Sequence, residues 1–162
     1  MRSEQKTEST TKAHAKEKSA LELLKTDHEK VTQMFEEFEE AHTASKKQKL
    51  ATEICEALTV HAQVEEEIFY PEVKAALKDK TLVPEATVEH AMMKELIAQI
   101  ESDEEGGEMF DATIKVLSEY VKHHIKEEQG ELFRKVKQSS LDLAELGERM
   151  AERFEALRAA KH

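Results

Sequence analysis

Two short stretches of the chain repeat a pairing suited to metal binding: His61-Ala-Gln-Val-Glu65 and His124-Ile-Lys-Glu-Glu128. In each, a histidine precedes a glutamate by four residues, which on an α-helix sets both side chains on one face. A lone histidine precedes each stretch at nearly equal distance, His28 by 33 residues and His90 by 34. Imidazole nitrogens and carboxylate oxygens are ligands for divalent iron, manganese and zinc. One unit, His…His-x-x-x-Glu, is therefore used twice, and six side chains are expected to meet.

The elements that must position them are amphipathic helices. From about Ser19 to His42, Leu21, Leu24, Val31, Phe35 and Phe38 recur at spacings of three and four, and His28 falls on the same stripe. A second helix, about 45 to 77, carries Leu50, Ile54, Leu58, His61, Glu65 and Ile68, with a kink or short break predicted near Pro71. A third, about 83 to 101 with Pro84 in its first turn, lines up Ala86, His90, Met93, Ile97 and Ile100. SDEEGG at 102–107 is the clearest linker. A fourth helix, about 108 to 137, presents Phe110, Ile114, Leu117, Val121, His124, Glu128 and Leu132. Short loops favour antiparallel neighbours, so the expected fold is all-α, an up-down four-helix bundle over 18–137. Residues 1–17, which include His14, read as a disordered tail. The C-terminal segment, 138–162, holds an additional amphipathic helix with Leu143, Leu146, Met150, Phe154 and Leu157. It is expected to pack on the bundle or at an oligomer interface, and it shows no chemistry of its own.

Six polar residues at core positions require compensation. A lone histidine on an apolar face is usually a satisfied core residue, and a Glu four residues on is common on exposed helices. Neither explains six such residues spread over four stripes. Two buried carboxylates without partners would each cost several kcal/mol, roughly, against a total stability of about 5–15 kcal/mol. Four histidines and two glutamates are too many for one tetrahedral zinc and suit two metal ions. Histidines would be terminal and Glu65 and Glu128 bridging, in an approximately two-fold symmetric site. Two carboxylates leave a charge of +2 on two divalent ions, which an oxo or hydroxo bridge would reduce.

Neighbouring side chains carry blander expectations. His42 is solvated or a helix cap, His123 solvated, and Glu66, Glu67 and Glu127 surface charges. Tyr120 is a packed tyrosine, Met34, Met92, Met93 and Met109 fill the core, and Cys55 is a small buried hydrophobe. A net charge of −11 disfavours nucleic acid and anionic membrane surfaces as partners. No apolar run approaches the roughly 20 residues of a membrane span. A single cysteine and an N-terminus without a signal peptide's apolar stretch point to the cytoplasm.

The pattern resembles the hemerythrin-like, or HHE cation-binding, family. Asp27-His28-Glu29, His61-x-x-x-Glu65 with Glu66, Ile68, Phe69, Tyr70 and Pro71, Glu89-His90, and His124-x-x-x-Glu128 with Leu132 and Phe133 carry the likeness, over about 18–137. The resemblance implies a left-handed antiparallel bundle around a non-haem di-iron centre, with His28, His61, Glu65, His90, His124 and Glu128 as ligands. It implies a ligand such as oxygen, hydrogen peroxide or nitric oxide, and a role in sensing, iron handling or stress protection. Manganese or zinc could substitute for iron, and the chain is expected as a monomer or homodimer. Oxygen-carrying members have a second histidine where this chain has Lys94, and an aspartate one residue beyond Glu128 in spacing. Six protein ligands in place of seven leave more open positions and argue against simple oxygen carriage. The alternatives are a di-iron enzyme with peroxide-decomposing or oxidase activity, and a metal-free helical interaction module docking through its last helix.

Overall fold

The computed structural model describes residues 18–161. The tail expected over 1–17, with His14, and the final His162 lie outside the described residues. α1 spans Ala20–Glu40 and opens on Ser19, whose hydroxyl accepts from the Glu22 N–H. α2, Ala44–Val64, is capped in the same way by Thr43 and continues through a π-helical turn, Glu65–Phe69, into α3, Tyr70–Leu77. Lys78 closes that rod in the left-handed conformation, at φ 52°. α4 is Leu82–Ser102, its first N–H groups held by the Asp79 carboxylate. α5, Glu108–Glu127, passes through a second π-helical turn, Glu128–Leu132, into α6, Phe133–Lys137. α7 is Leu143–Ala160, capped by Asp142.

The four rods close a ring: α1 packs on α2 and α5, and α4 packs on α2 and α5. The bundle expected from the stripes is present, and no helix among the described residues is long and apolar enough to cross a membrane. Pro71 does not break its rod. The backbone runs on through a π turn that starts six residues earlier, and the matching turn in the fourth rod contains no proline. Proline is therefore not the cause of these turns; each begins at the glutamate of a His-x-x-x-Glu pair.

The apolar core is split in two. Val31, Phe35, Leu58, Met93, Ile97 and Val121 belong to one cluster, and Leu24, Val64, Phe69, Ala86, Leu132 and Phe133 to the other. The polar side chains lie between them on the same stripes. α7 packs across α1, α2 and the first π turn, and buries Leu146, Met150 and Phe154. The approach is close at Gly147, where a Cβ would stand 2.4 Å from the Lys18 carbonyl oxygen. Arg153 reaches Glu67 at 2.7 Å, and Arg149 reaches Glu72 at 3.3 Å.

Several side chains stand elsewhere than their stripes suggested. Met92 and Met109 are exposed rather than in the core, and Tyr120 is 40 % exposed rather than packed. Cys55 is buried as expected, and burial pushes its thiol up to about 12.

Candidate metal centre

All six singled-out residues are buried, and Glu65 is wholly so. They converge in two overlapping groups. Ligand atoms of His28, His61, Glu65 and Glu128 lie within 4.8 Å of one another, as do those of Glu65, His90 and His124. Glu65 belongs to both. Its Oε1 stands 3.2 Å from the Nε2 of both His61 and His90. Glu128 also spans the halves, with Oε1 3.4 Å from His28 Nε2 and Oε2 3.2 Å from His124 Nε2.

Each imidazole is oriented from behind. Nδ1 of His61 meets Asp27 at 2.7 Å, that of His124 meets Glu89 at 2.8 Å, that of His90 meets Glu66 at 3.2 Å, and that of His28 meets the Gln129 amide oxygen at 2.7 Å. An oxygen acceptor at Nδ1 fixes the proton there and leaves Nε2 as the lone-pair nitrogen of a neutral ring. Those Nε2 atoms face each other in pairs, His28 to His61 at 3.1 Å and His90 to His124 at 3.3 Å. Opposed lone pairs at that distance repel unless a proton or a cation joins them.

The carboxylates show the same incompleteness. Among the described residues, Glu65 Oε2 and Glu128 Oε1 are buried without a hydrogen-bond partner, a state that is costly in a dry core. Paired nitrogen donors and one orphaned oxygen on each carboxylate are the donor set a divalent cation needs, so the residues fit a metal.

Without metal, protons take that place. Burial works against the His61 imidazolium, but the charge of Glu65 and the bonds to Asp27 and Glu65 outweigh it and hold the group well above the usual range. His124 is raised to about 9, with burial overcome by Glu128. Burial likewise opposes the Glu128 carboxylate, yet the His124 imidazole beside it, and after it that of His28, hold it well below the ordinary carboxylate range.

Stripe reasoning missed five participants. Asp27, Glu66, Glu89 and Gln129 are the outer partners just described. Glu66 is half-buried rather than a plain surface charge, and Lys94 meets its Oε1 at 2.7 Å. Asp27 is also gripped by Arg158 of α7 at 2.9 Å, so that helix does reach the site; its Phe154 lies 6.2 Å from the His61 ring. The fifth participant is Tyr70. Its hydroxyl donates to Glu128 Oε2 at 2.5 Å and lies 3.3 Å from Glu65 Oε1 and His90 Nε2. Burial and the two carboxylates push its phenol well above the usual value. A signal was present in the repeat: an acid precedes each lone histidine (Asp27, Glu89), and Glu66 and Gln129 follow the paired glutamates.

On one side the centre opens to a cavity of about 30 Å³, lined chiefly by Val31, Leu58, Met93, Ile97 and Val121 beside the imidazoles.

Fold and site define a helical-bundle protein with a buried, carboxylate-spanned pair of bis-imidazole positions. The model of the hemerythrin HHE cation-binding domain matches residues 19–136, and the chain belongs to that family. Its structure is similar to the crystal structure of a hemerythrin HHE cation-binding domain-containing protein from Mycobacterium kansasii. The TM-score is 0.75 at 24 % identity, covering 88 % of this chain and 89 % of that one. Over 116 residues, 72 % of this chain, it is 28 % identical to a DNA nickase of Nostoc sp. (strain PCC 7120 / SAG 25.82 / UTEX 2576). The match spans only 33 % of that relative's length.

Proposed function

We propose that the six side chains hold two iron ions, with His28 and His61 on one, His90 and His124 on the other, and Glu65 and Glu128 shared. The centre would bind or react with a small ligand such as oxygen, hydrogen peroxide or nitric oxide, in sensing, iron handling or stress protection in the cytoplasm. The observation that carries this reading is the pairing of facing Nε2 atoms with an orphaned oxygen on each buried carboxylate. Bound iron would supply one-electron chemistry and an open coordination position. The chain itself supplies the rest. Asp27, Glu66, Glu89 and Gln129 keep the Nδ1 protons in place, Tyr70 offers a hydroxyl proton at Glu128 Oε2, and the apolar cavity admits a small neutral molecule while excluding bulk water. The nicking activity named for the Nostoc relative is not carried over, because a net charge of −11 opposes a polyanionic partner.

Metal analysis of the purified protein, with an optical spectrum of the iron-loaded form before and after azide, tests the reading. Two irons per chain and an azide-dependent band are expected. Less than one metal ion per chain, with no gain in thermal stability on adding iron, would sink it. Tyr70 favours a second reading, a peroxide-decomposing enzyme, since its hydroxyl can deliver a proton inside the site. Oxygen evolution lost in Tyr70→Phe with iron content retained would support that one.

A further inference from the structure

α7 lies beyond the matched domain, since residues 19–136 end before Leu143. Its contacts nevertheless fall on α1, α2 and the first π turn, the elements that carry His28, His61 and Glu65. Two of its arginines make surface pairs: Arg149 with Glu72, and Arg153 with Glu67 through two nitrogens, at 2.7 and 3.2 Å. The third reaches inward. Arg158 Nη2 donates to Asp27 Oδ1 at 2.9 Å, and Asp27 is only 6 % exposed. The other oxygen, Oδ2, accepts from His61 Nδ1 at 2.7 Å. The guanidinium also lies over the Phe154 ring, 4.7 Å from its centroid, and that ring stands 6.2 Å from the His61 ring. Guanidinium, carboxylate and imidazole thus form one chain from the surface of α7 to a residue of the centre. The other half is built differently. Glu89 stands to His124 as Asp27 stands to His61, but its second oxygen is 3.9 Å from the exposed His123 and meets no arginine.

A carboxylate held at one oxygen can still turn about its side-chain bonds. Held at both, by Arg158 and His61, it fixes the plane of the His61 ring and with it the direction of Nε2. Beside Asp27 a cleft of about 290 Å³ opens between α1 and α7, lined in part by Thr26, Lys30, Phe154 and Arg158. Without the guanidinium, Oδ1 would be left nearly buried and unpaired, a costly state that Asp27 relieves by turning to the water of this cleft. His61 then loses its anchor. Resting on the reading of the six-residue site as a metal centre, we propose that Arg158 is a positioning residue for one metal position, that of His28 and His61, and that docking of the end of α7 is coupled to filling of that position. The coupling is reciprocal, so a cation bound there holds α7 in place as firmly as α7 helps to hold the cation.

The test uses the full-length metal-free protein, without oxygen, and Co²⁺ alone, followed by equilibrium dialysis and visible absorption. The wild type should bind two equivalents. Arg158→Met should weaken one of them about tenfold and leave the other unchanged. Arg158→Lys should recover part of that loss, and the control Arg149→Met, an ion pair on the same helix away from His61, should bind both equivalents normally. In the wild type, amide hydrogen exchange over residues 150–158 should slow by up to about tenfold as the affected equivalent binds, and this slowing should be lost in Arg158→Met. Two unchanged equivalents in Arg158→Met, two that weaken alike, or exchange in α7 that is indifferent to cobalt would overturn the proposal and leave the metal centre standing. A wild type that takes up no cobalt would overturn both.

Discussion

Protons and metal compete for the same atoms, and this sets a pH dependence that can be worked out in advance. In the metal-free protein His124 titrates at about 9, against 6.5 for an unperturbed histidine. The native state therefore holds a proton that the unfolded chain releases earlier. The resulting stabilisation is complete below pH 6.5 and is lost as pH rises through about 9. The gap is worth about 3 kcal/mol, at 1.36 kcal/mol for each tenfold change in proton concentration. His61, also held high, acts in the same direction. Glu128, held low, contributes stability that is present above about 4.5 and lost only as pH falls below it. Metal-free protein should thus be most stable between 4.5 and 6.5 and should weaken by about 3 kcal/mol or more toward pH 9. Metal ligation needs neutral imidazoles, so loading expels these protons and metal affinity should climb over the same window. Urea denaturation of chelator-treated and metal-loaded protein, followed by helical circular dichroism at 6.5 and 9, measures both. A metal-free protein equally stable at the two pH values, within about 1 kcal/mol, would refute the claim that protons substitute for metal in this core.

Four further outcomes test separate contacts. Tyr70→Phe removes the donor to Glu128 Oε2 and should cost the metal-free protein about 1–3 kcal/mol by urea denaturation. Gly147→Ala forces a methyl against the Lys18 carbonyl and should lower stability by about 1–3 kcal/mol, with faster amide hydrogen exchange in α7; unchanged exchange would mean that this contact is not close. Asp27→Asn should weaken metal binding by about 10–100-fold in a titration, because His61 loses its carboxylate. Arg158→Met, at a half-exposed ion pair, should change stability by less than about 1 kcal/mol.

The rods and the six inward residues were legible because one physical signal, apolar recurrence at helical spacing, carries both. His28 falls between Leu24 and Val31 on that stripe and in space lies between the two apolar clusters. The outer partners escaped because they stand one residue off the stripe, at a rotation that reads as boundary or surface. Glu66 and Gln129 are indeed only partly buried, and what binds them is a histidine on a different rod. The exposed positions of Met92, Met109 and Tyr120 follow from the converse weakness, since an apolar or aromatic type alone does not put a side chain inside.

Tyr70 needed a departure from helical period, and the same departure explains why the two halves differ. At 3.6 residues per turn a residue five beyond Glu65 points about 140° away from it. The π turn adds a residue to the winding, so that Tyr70 N–H bonds to the Glu65 carbonyl and its hydroxyl comes round to the carboxylate. The matching turn brings Phe133 round in the same way, and its ring stacks 6.3 Å from His28. A repeat that is two-fold in its six inward donors thus diverges in what surrounds them. The His90 and His124 half faces a phenol and two outer carboxylates, Glu66 and Glu89; the His28 and His61 half faces a phenyl ring, one carboxylate and an amide. Outer carboxylates raise imidazole basicity more than an amide does. A cation held between His90 and His124 would therefore be bound more tightly than one held between His28 and His61.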